Sequence, residues 1–262
     1  LAAAQAADRE SAGIAGSTVA LTYTNTPHTK TIEFRGYEYR REPSAVSGAL
    51  LTRYNDKRPQ IWRIPLRDEV TPDITVTAPS GGYLVPPAYA RMVADKLTLH
   101  GIEFRTLAQA QAESEVEVFR ATKAAPAKST FEGRSVFSVE GDWRKEQRAV
   151  PAGSLFVPIA QARSELAMAL LEPRDPDSLV SWGYFAAAFE RKEYMEAYVA
   201  EEVAEQMLKK DPALRREFAR RLEDPKFATD PEARLDFFYQ RHSSWDERYN
   251  LYPVFRVANA PR

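Results

Sequence analysis

Histidine, with a carboxylate three residues on, is the pair that metal chemistry uses. The chain holds one such pair in His100-Gly101-Ile102-Glu103, with His242 far downstream in the position of a third ligand. A catalytic zinc takes three nitrogen or oxygen ligands, leaves a position open for water, and relies on neighbouring groups to orient the imidazoles. Spacing alone meets only part of that requirement. His100 falls in the last turn of a predicted helix with Gly101 as its C′ residue, where an imidazole interacts favourably with the helix dipole and needs no metal. His28 lies in the polar turn TNTPHTK, which makes it a solvated side chain. The reading assigns no catalytic residue and no metal ligand in this chain, and leaves the substrate-binding residues unknown.

Other reactive types are equally poorly placed. Ser178, Ser181, Ser243 and Ser244 sit outside any G-x-S-x-G frame, and Asp177 with Ser178 reads as helix capping. Gly81-Gly82 and Gly153-Ser154 lack the spacing of a phosphate-binding loop. Arg40-Arg41-Glu42 and the interleaved charges of Arg215 to Arg221 read as solvated faces with ion pairs. Trp62, Trp143, Trp182 and Trp245, and the group Tyr184, Phe185, Tyr194 and Tyr198, read first as packing residues and second as a stacking platform.

The elements that would position these groups follow from periodicity. The Ala-rich opening suits the end of a helix. From Thr18 the pattern alternates, with Ile32, Phe34, Tyr37 and Tyr39 marking apolar positions around a glycine bulge. Further strands are expected at Ala49–Tyr54, Gln60–Leu66 and Ile74–Ala78. After Gly81-Gly82 comes a βαβ-like unit: a strand at Tyr83–Val85, a helix at Tyr89–Leu99 with Met92, Val93, Leu97 and Leu99 inward, and a strand at Ile102–Leu107. Strands are then predicted at Glu115–Thr122, Arg134–Glu140 and Ser154–Pro158, and a helix at Ala162–Leu171. Asp175-Pro176-Asp177-Ser178 is expected to cap a helix through Leu179–Phe189. Glu193–Lys210 places Tyr194, Tyr198, Val199, Val203 and Met207 near one face. Asp211-Pro212 and Asp230-Pro231 cap two more helices, and Tyr249–Val257 returns as an edge strand. The fold class is therefore α+β. Residues 1–80 form a helix end plus an antiparallel β module, and residues 81–262 a mixed α/β sheet domain covered on one face by C-terminal helices.

With 262 residues, 44% of them hydrophobic, the chain can bury a core of one or two domains. Its 36 Lys and Arg against 37 Asp and Glu give a net charge of -1, which offers no footprint for nucleic-acid phosphates. Without cysteine, disulfides and thiolate metal sites are excluded. The opening LAAAQAADRESAGIAG has neither a basic leader nor a sustained apolar run, so no membrane span is expected, and a start at Leu reads as a fragment or processed product.

Three segments carry a family likeness: PAGSLFVPIAQARSELAMALLEPRDPDSLVSWGYF at Pro151 to Phe185, GYLVPPAYARMVADKLTLHGIEF at Gly82 to Phe104, and NLYPVFRV at Asn250 to Val257. Together they resemble the distal, C-terminal part of large bacterial zinc carboxypeptidase-like proteins, of the metallocarboxypeptidase family. The resemblance implies that the zinc-binding catalytic domain lies upstream of Leu1, with zinc activating water and an upstream glutamate as base. It also implies that this chain is a non-catalytic accessory region whose partners are its own catalytic domain and a peptide substrate, exported to the periplasm or beyond. No cofactor is expected in this chain itself. The family's Asn-Arg pair, which grips the terminal carboxylate of a peptide, has no counterpart, since no Asn here precedes Arg. Too little chain follows His242 for the strand and helix that carry the family's catalytic glutamate. The alternative is a stand-alone module that binds peptides or glycans through its aromatic residues and has no peptidase activity.

Overall fold

Alanine's helix propensity is expressed at once in α1 (Ala2–Ser11), none of whose residues is buried. The computed structural model describes residues 1–261, which divide into two compact units, Ser17–Thr77 and Leu1–Gly16 together with the chain from Ala78 onward. The initial helix thus groups with the larger unit and not with the β module. Gly16 N donates to Ala78 O at 3.1 Å, and Ser164 Oγ donates to Ser11 O.

The smaller unit is a single antiparallel ribbon laid down from the outside in. β1 (Thr18–Ala20), β2 (Tyr23–Asn25) and β3 (Lys30–Pro43) run out, and β4 (Leu50–Leu66), β5 (Val70–Pro72) and β6 (Thr75–Thr77) return. They pair as β1 with β6, β2 with β5, and β3 with β4. Two separate strands were expected between Ala49 and Leu66. Instead β4 runs unbroken, because the pairing skips from Tyr37↔Pro59 to Glu38↔Asn55 and lets Asp56 to Arg58 bulge out. At the tip, Ser44 Oγ accepts from the N–H groups of Val46 and Ser47, closing the turn that its small polar side chain favours.

The larger unit is built on β7 (Gly82–Val85), α2 (Pro87–Leu99), β8 (Arg105–Thr106), β9 (Gln111–Pro126), β10 (Phe137–Val150) and β11 (Leu155–Pro158). There follow α3 (Ser164–Leu171), α4 (Ala197–Lys210), α5 (Pro212–Arg221), α6 (Pro225–Ala228), α7 (Pro231–Tyr239) and β12 (Phe255–Val257). The sheet order is β10-β9-β12-β7-β11-β8, and neighbouring strands all pair antiparallel. The α+β class stands, but the six-stranded sheet is antiparallel throughout and is not the mixed sheet that was expected. β7 and β8 both oppose β11 and so run parallel to each other across it, a βαβ unit with a strand inserted. All four residues of β7 are buried, as befits a short apolar run at the middle of a sheet covered on both faces.

The C-terminal strand is not an edge strand: β12 lies between β9 and β7, and the local pattern of three residues carries no information about two distant partners. No α-helix spans Leu179 to Phe189, where turns and one 3₁₀ turn at Ala186–Ala188 occur instead. Gly183 takes a φ of +74° there, and a Cβ would lie 2.8 Å from Ser135 O, so the chain turns where a helix would have continued. Asp175 and Ser178 accordingly close turns rather than cap a helix, accepting from Asp177 N and Ser181 N. Leu99 is 77% exposed at the end of α2, whereas Val93 and Leu97 are buried. Tyr194 precedes α4, and both it and Tyr198 are exposed; the inward face of α4 is Ala200 and Ala204 flanked by Val203 and Met207.

The C-terminal helices do not simply cover the sheet. α4 packs on α5 and α7, and α6 on α7, around Ala204, Leu214, Phe227, Phe237 and Phe238, while the helix resting on β7 and β11 is α2. Three of these helices begin with Asp-Pro, and Asp211, Asp224 and Asp230 each accept from backbone N–H groups of the first turn. The sheet has its own core on one face, including Leu84, Val118, Val150, Phe156 and Leu251. Among the described residues no helix is long and apolar enough to cross a membrane.

Candidate functional site

The histidines are occupied locally. His100 Nδ1 is 2.8 Å from Lys96 O at the end of α2, and Arg163 donates to the His100 carbonyl at 2.9 Å. His242 Nδ1 lies 2.8 Å from Ser244 Oγ in the turn after α7. His28 contacts Glu69 at 3.0 Å on the surface of the ribbon. Glu103 is held through its backbone, which exchanges hydrogen bonds with the Gln161 side chain at 2.7 and 3.1 Å. Among the described residues, no three His, Cys, Asp or Glu side chains stand together so as to hold a metal ion.

The larger unit opens into a cleft of about 590 Å³. Its apolar wall is Leu84 of β7, Val150 at the end of β10, and Leu251, Pro253 and Phe255 of the returning chain. The rim carries Arg148, Lys192 and Arg248 against Glu190, Glu193 and Asp246. The return segment is fixed by its backbone: Asn250 N donates to Ala188 O at 3.1 Å, Ala121 N to Asn250 O at 2.8 Å, and Tyr252 N to Phe119 O at 3.0 Å. Asn250 adopts a φ of +58°, a conformation that asparagine tolerates better than most residues, and its buried Oδ1 has no partner among the described residues.

Two of the rim cations are anchored. Arg148 donates to Glu146, which also receives Arg120 at 2.7 and 3.2 Å, and Arg120 reaches Glu247 O at 3.0 Å. The hydrogen bond from Arg120, reinforced by that from Arg148, holds the Glu146 carboxyl below the usual range. Arg248 pairs with Asp246 at 3.0 Å and lowers the Asp246 carboxyl in the same way. The cleft's serine, Ser154, donates its hydroxyl to Pro151 O at 2.7 Å. Apolar wall, tyrosines Tyr89 and Tyr249, and a rim of both signs make a surface that can hold an amphipathic ligand.

On the other face of β7 lies a polar network that sequence reading missed. Arg256 of β12 donates through Nε and Nη2 to the Glu172 carboxylate at 2.9 and 2.5 Å, with both residues almost fully buried. Tyr83 OH donates to Glu172 Oε1 at 2.5 Å, Tyr252 OH to Leu171 O at 3.0 Å, and the Arg256 guanidinium lies 4.1 Å from the centre of the Trp143 ring. Burial, then the neighbouring Glu172 charge, pushes both tyrosines well above their ordinary range. Every polar tip of this network finds a partner, so it is a structural keystone tying β7, β12 and the end of α3. The signal available in the sequence was two charged residues, Glu172 directly after the apolar run Leu166–Leu171 and Arg256 between Phe255 and Val257.

The tryptophans divide. Trp143 packs on Phe119 and Tyr252, and Trp245 on Tyr239 and Tyr249. Trp182 meets Phe131. Trp62 belongs to a separate aromatic group on the ribbon. No protein-family model, curated protein or solved structure matches the chain.

Proposed function

We propose that this chain is a non-catalytic accessory region of a zinc-dependent metallocarboxypeptidase, one that holds peptide substrate beside a zinc-bearing domain preceding Leu1. The reading draws on the resemblance of its three segments to that family. The observation that carries the role is the cleft, whose apolar wall and two-signed rim suit a short peptide while its serine is tied to a backbone carbonyl. In such an enzyme zinc polarises the scissile carbonyl and activates the attacking water. The residues of this chain take no proton and form no bond. Phe255 and Pro253 accept apolar side chains of the peptide, backed by the buried Leu251 and Val150. Lys192 and Arg248 attract its carboxylates, and Glu190 and Glu193 attract its basic groups. An enzyme of this kind acts outside the cytoplasm, in the periplasm or beyond.

A calorimetric titration with tripeptides bearing a free C-terminal carboxylate tests the role. Saturable binding that weakens in Lys192→Glu is expected. Absence of binding across tripeptides of acidic, basic and apolar composition would remove the substrate-holding role.

A further inference from the structure

One wall of the cleft is a strap with a single tie. After Phe189, which is buried and stacks on Phe137 at 5.7 Å, the chain runs from Glu190 to Glu196 without regular structure before α4 begins at Ala197. Among the described residues, no backbone N–H in that stretch meets a backbone carbonyl. Its side chains make no hydrogen bond among those residues either, except at Arg191. A segment with so few bonds has low local stability, and it stands where its tie places it.

The tie is specific. Arg191 donates through Nη1 and Nη2 to the two carboxylate oxygens of Asp236 on α7, at 3.0 and 2.6 Å. Its guanidinium lies 5.4 Å from the centre of the Tyr239 ring and 5.7 Å from that of Trp245. Trp245 in turn stands edge-on to Tyr249, 5.7 Å off, and Tyr249 belongs to the cleft wall. A two-point contact with a carboxylate beside aromatic rings suits the planar fork of arginine better than any other side chain. Glu190, Lys192 and Glu193 line the cleft, whereas Arg191 does not. Among the rim cations Arg148 is paired with Glu146 and Arg248 with Asp246, while Lys192 has no carboxylate at ion-pair distance among the described residues.

We propose that Arg191 is the latch of this cleft, a positioning residue that fastens the strap to α7 and so sets where Glu190, Lys192 and Glu193 meet a peptide. With Arg191 free, the strap leaves the wall and the rim loses its unpaired cation. A ligand that needs the latched arrangement then binds with an apparent Kd that rises as the latched fraction falls. The role in binding rests on the reading of the cleft as a peptide site, but the latch itself can be measured without peptide.

The chain has no cysteine, so Tyr194→Cys can carry a single nitroxide label. Tyr194 lies in the strap, is 72% exposed and stands outside the cleft wall, and the electron paramagnetic resonance lines of its label report strap mobility. In that background Arg191→Gln and Asp236→Asn should each narrow the lines, with circular dichroism unchanged. The double variant should narrow them no further, because the two groups act as one tie. In calorimetric titration with an acidic tripeptide, Arg191→Gln should weaken binding several-fold. Parent-like lines in both single variants, or additive narrowing in the double, would overturn the latch. Narrowed lines with unaltered tripeptide affinity would equally overturn it, by detaching the strap from ligand binding. If the lines narrow and the parent chain binds no tripeptide, the peptide reading falls and the latch stands.

Discussion

Arg256 and Glu172, 84 residues apart in sequence, form a two-point ion pair in the interior of the larger unit, and Tyr83 adds a third hydrogen bond to the same carboxylate. A buried pair of this kind gives little or no net stability over a well-packed apolar replacement, yet losing one partner strands a charge. Arg256→Met should therefore destabilise by about 3–5 kcal/mol in urea unfolding. The double variant Glu172→Leu with Arg256→Met should recover much of that loss. Equal destabilisation in both variants would contradict this account of the pair.

The same network sets an alkaline limit. Tyr83 and Tyr252 are raised well above their ordinary range, so the folded chain keeps them protonated where the unfolded chain ionises them. Their contribution is whole below the unfolded value of about 10 and is lost as pH rises through and beyond it. Urea midpoints measured from about pH 8 to 11 should fall, and Tyr252→Phe should flatten the fall.

Glu146 sets an acid limit of opposite sign. Its carboxyl is lowered by Arg120 and then Arg148, so its contribution is present above the unfolded value of about 4.3 and disappears as pH drops through the folded one. Glu146→Gln should lose stability at neutral pH and show a shallower acid limb in the same unfolding series.

Zinc offers a direct check on His100, Glu103 and His242, which are bound up in separate local contacts. Dialysis against zinc should leave the chain with less than one equivalent, and His100→Ala should change nothing. One full equivalent that His100→Ala removes would install these residues as a metal site.

Much of the local structure was legible because its causes are local. Asp211-Pro212 and Asp230-Pro231 announce helices through a carboxylate that reaches the next backbone N–H groups and a ring that fixes φ. The alternation of β3 and β9 is equally self-contained. What failed depended on distant partners. β12 is central only because β9 and β7 flank it, and Glu172 is buried only because Arg256 arrives from another element. The break after Ser178 hinged on Gly183 meeting Ser135, a contact invisible in a window around either. The cleft was illegible for the same reason, since its walls come from β7, β10, the 3₁₀ turn region and the final return. On the ribbon, Trp62 and Gly36 were both noticed, but only the register of β3 on β4 places one upon the other.

On the proposed function, this chain serves a zinc carboxypeptidase by holding its substrate. The decisive measurement is steady-state hydrolysis of peptides by the full-length protein that carries this region, with and without zinc, beside its Arg248→Glu and Lys192→Glu variants. The account predicts zinc-dependent release of C-terminal residues, with the charge reversals raising KM several-fold and leaving kcat unchanged. No zinc-dependent hydrolysis, or kinetics indifferent to both reversals, would contradict it.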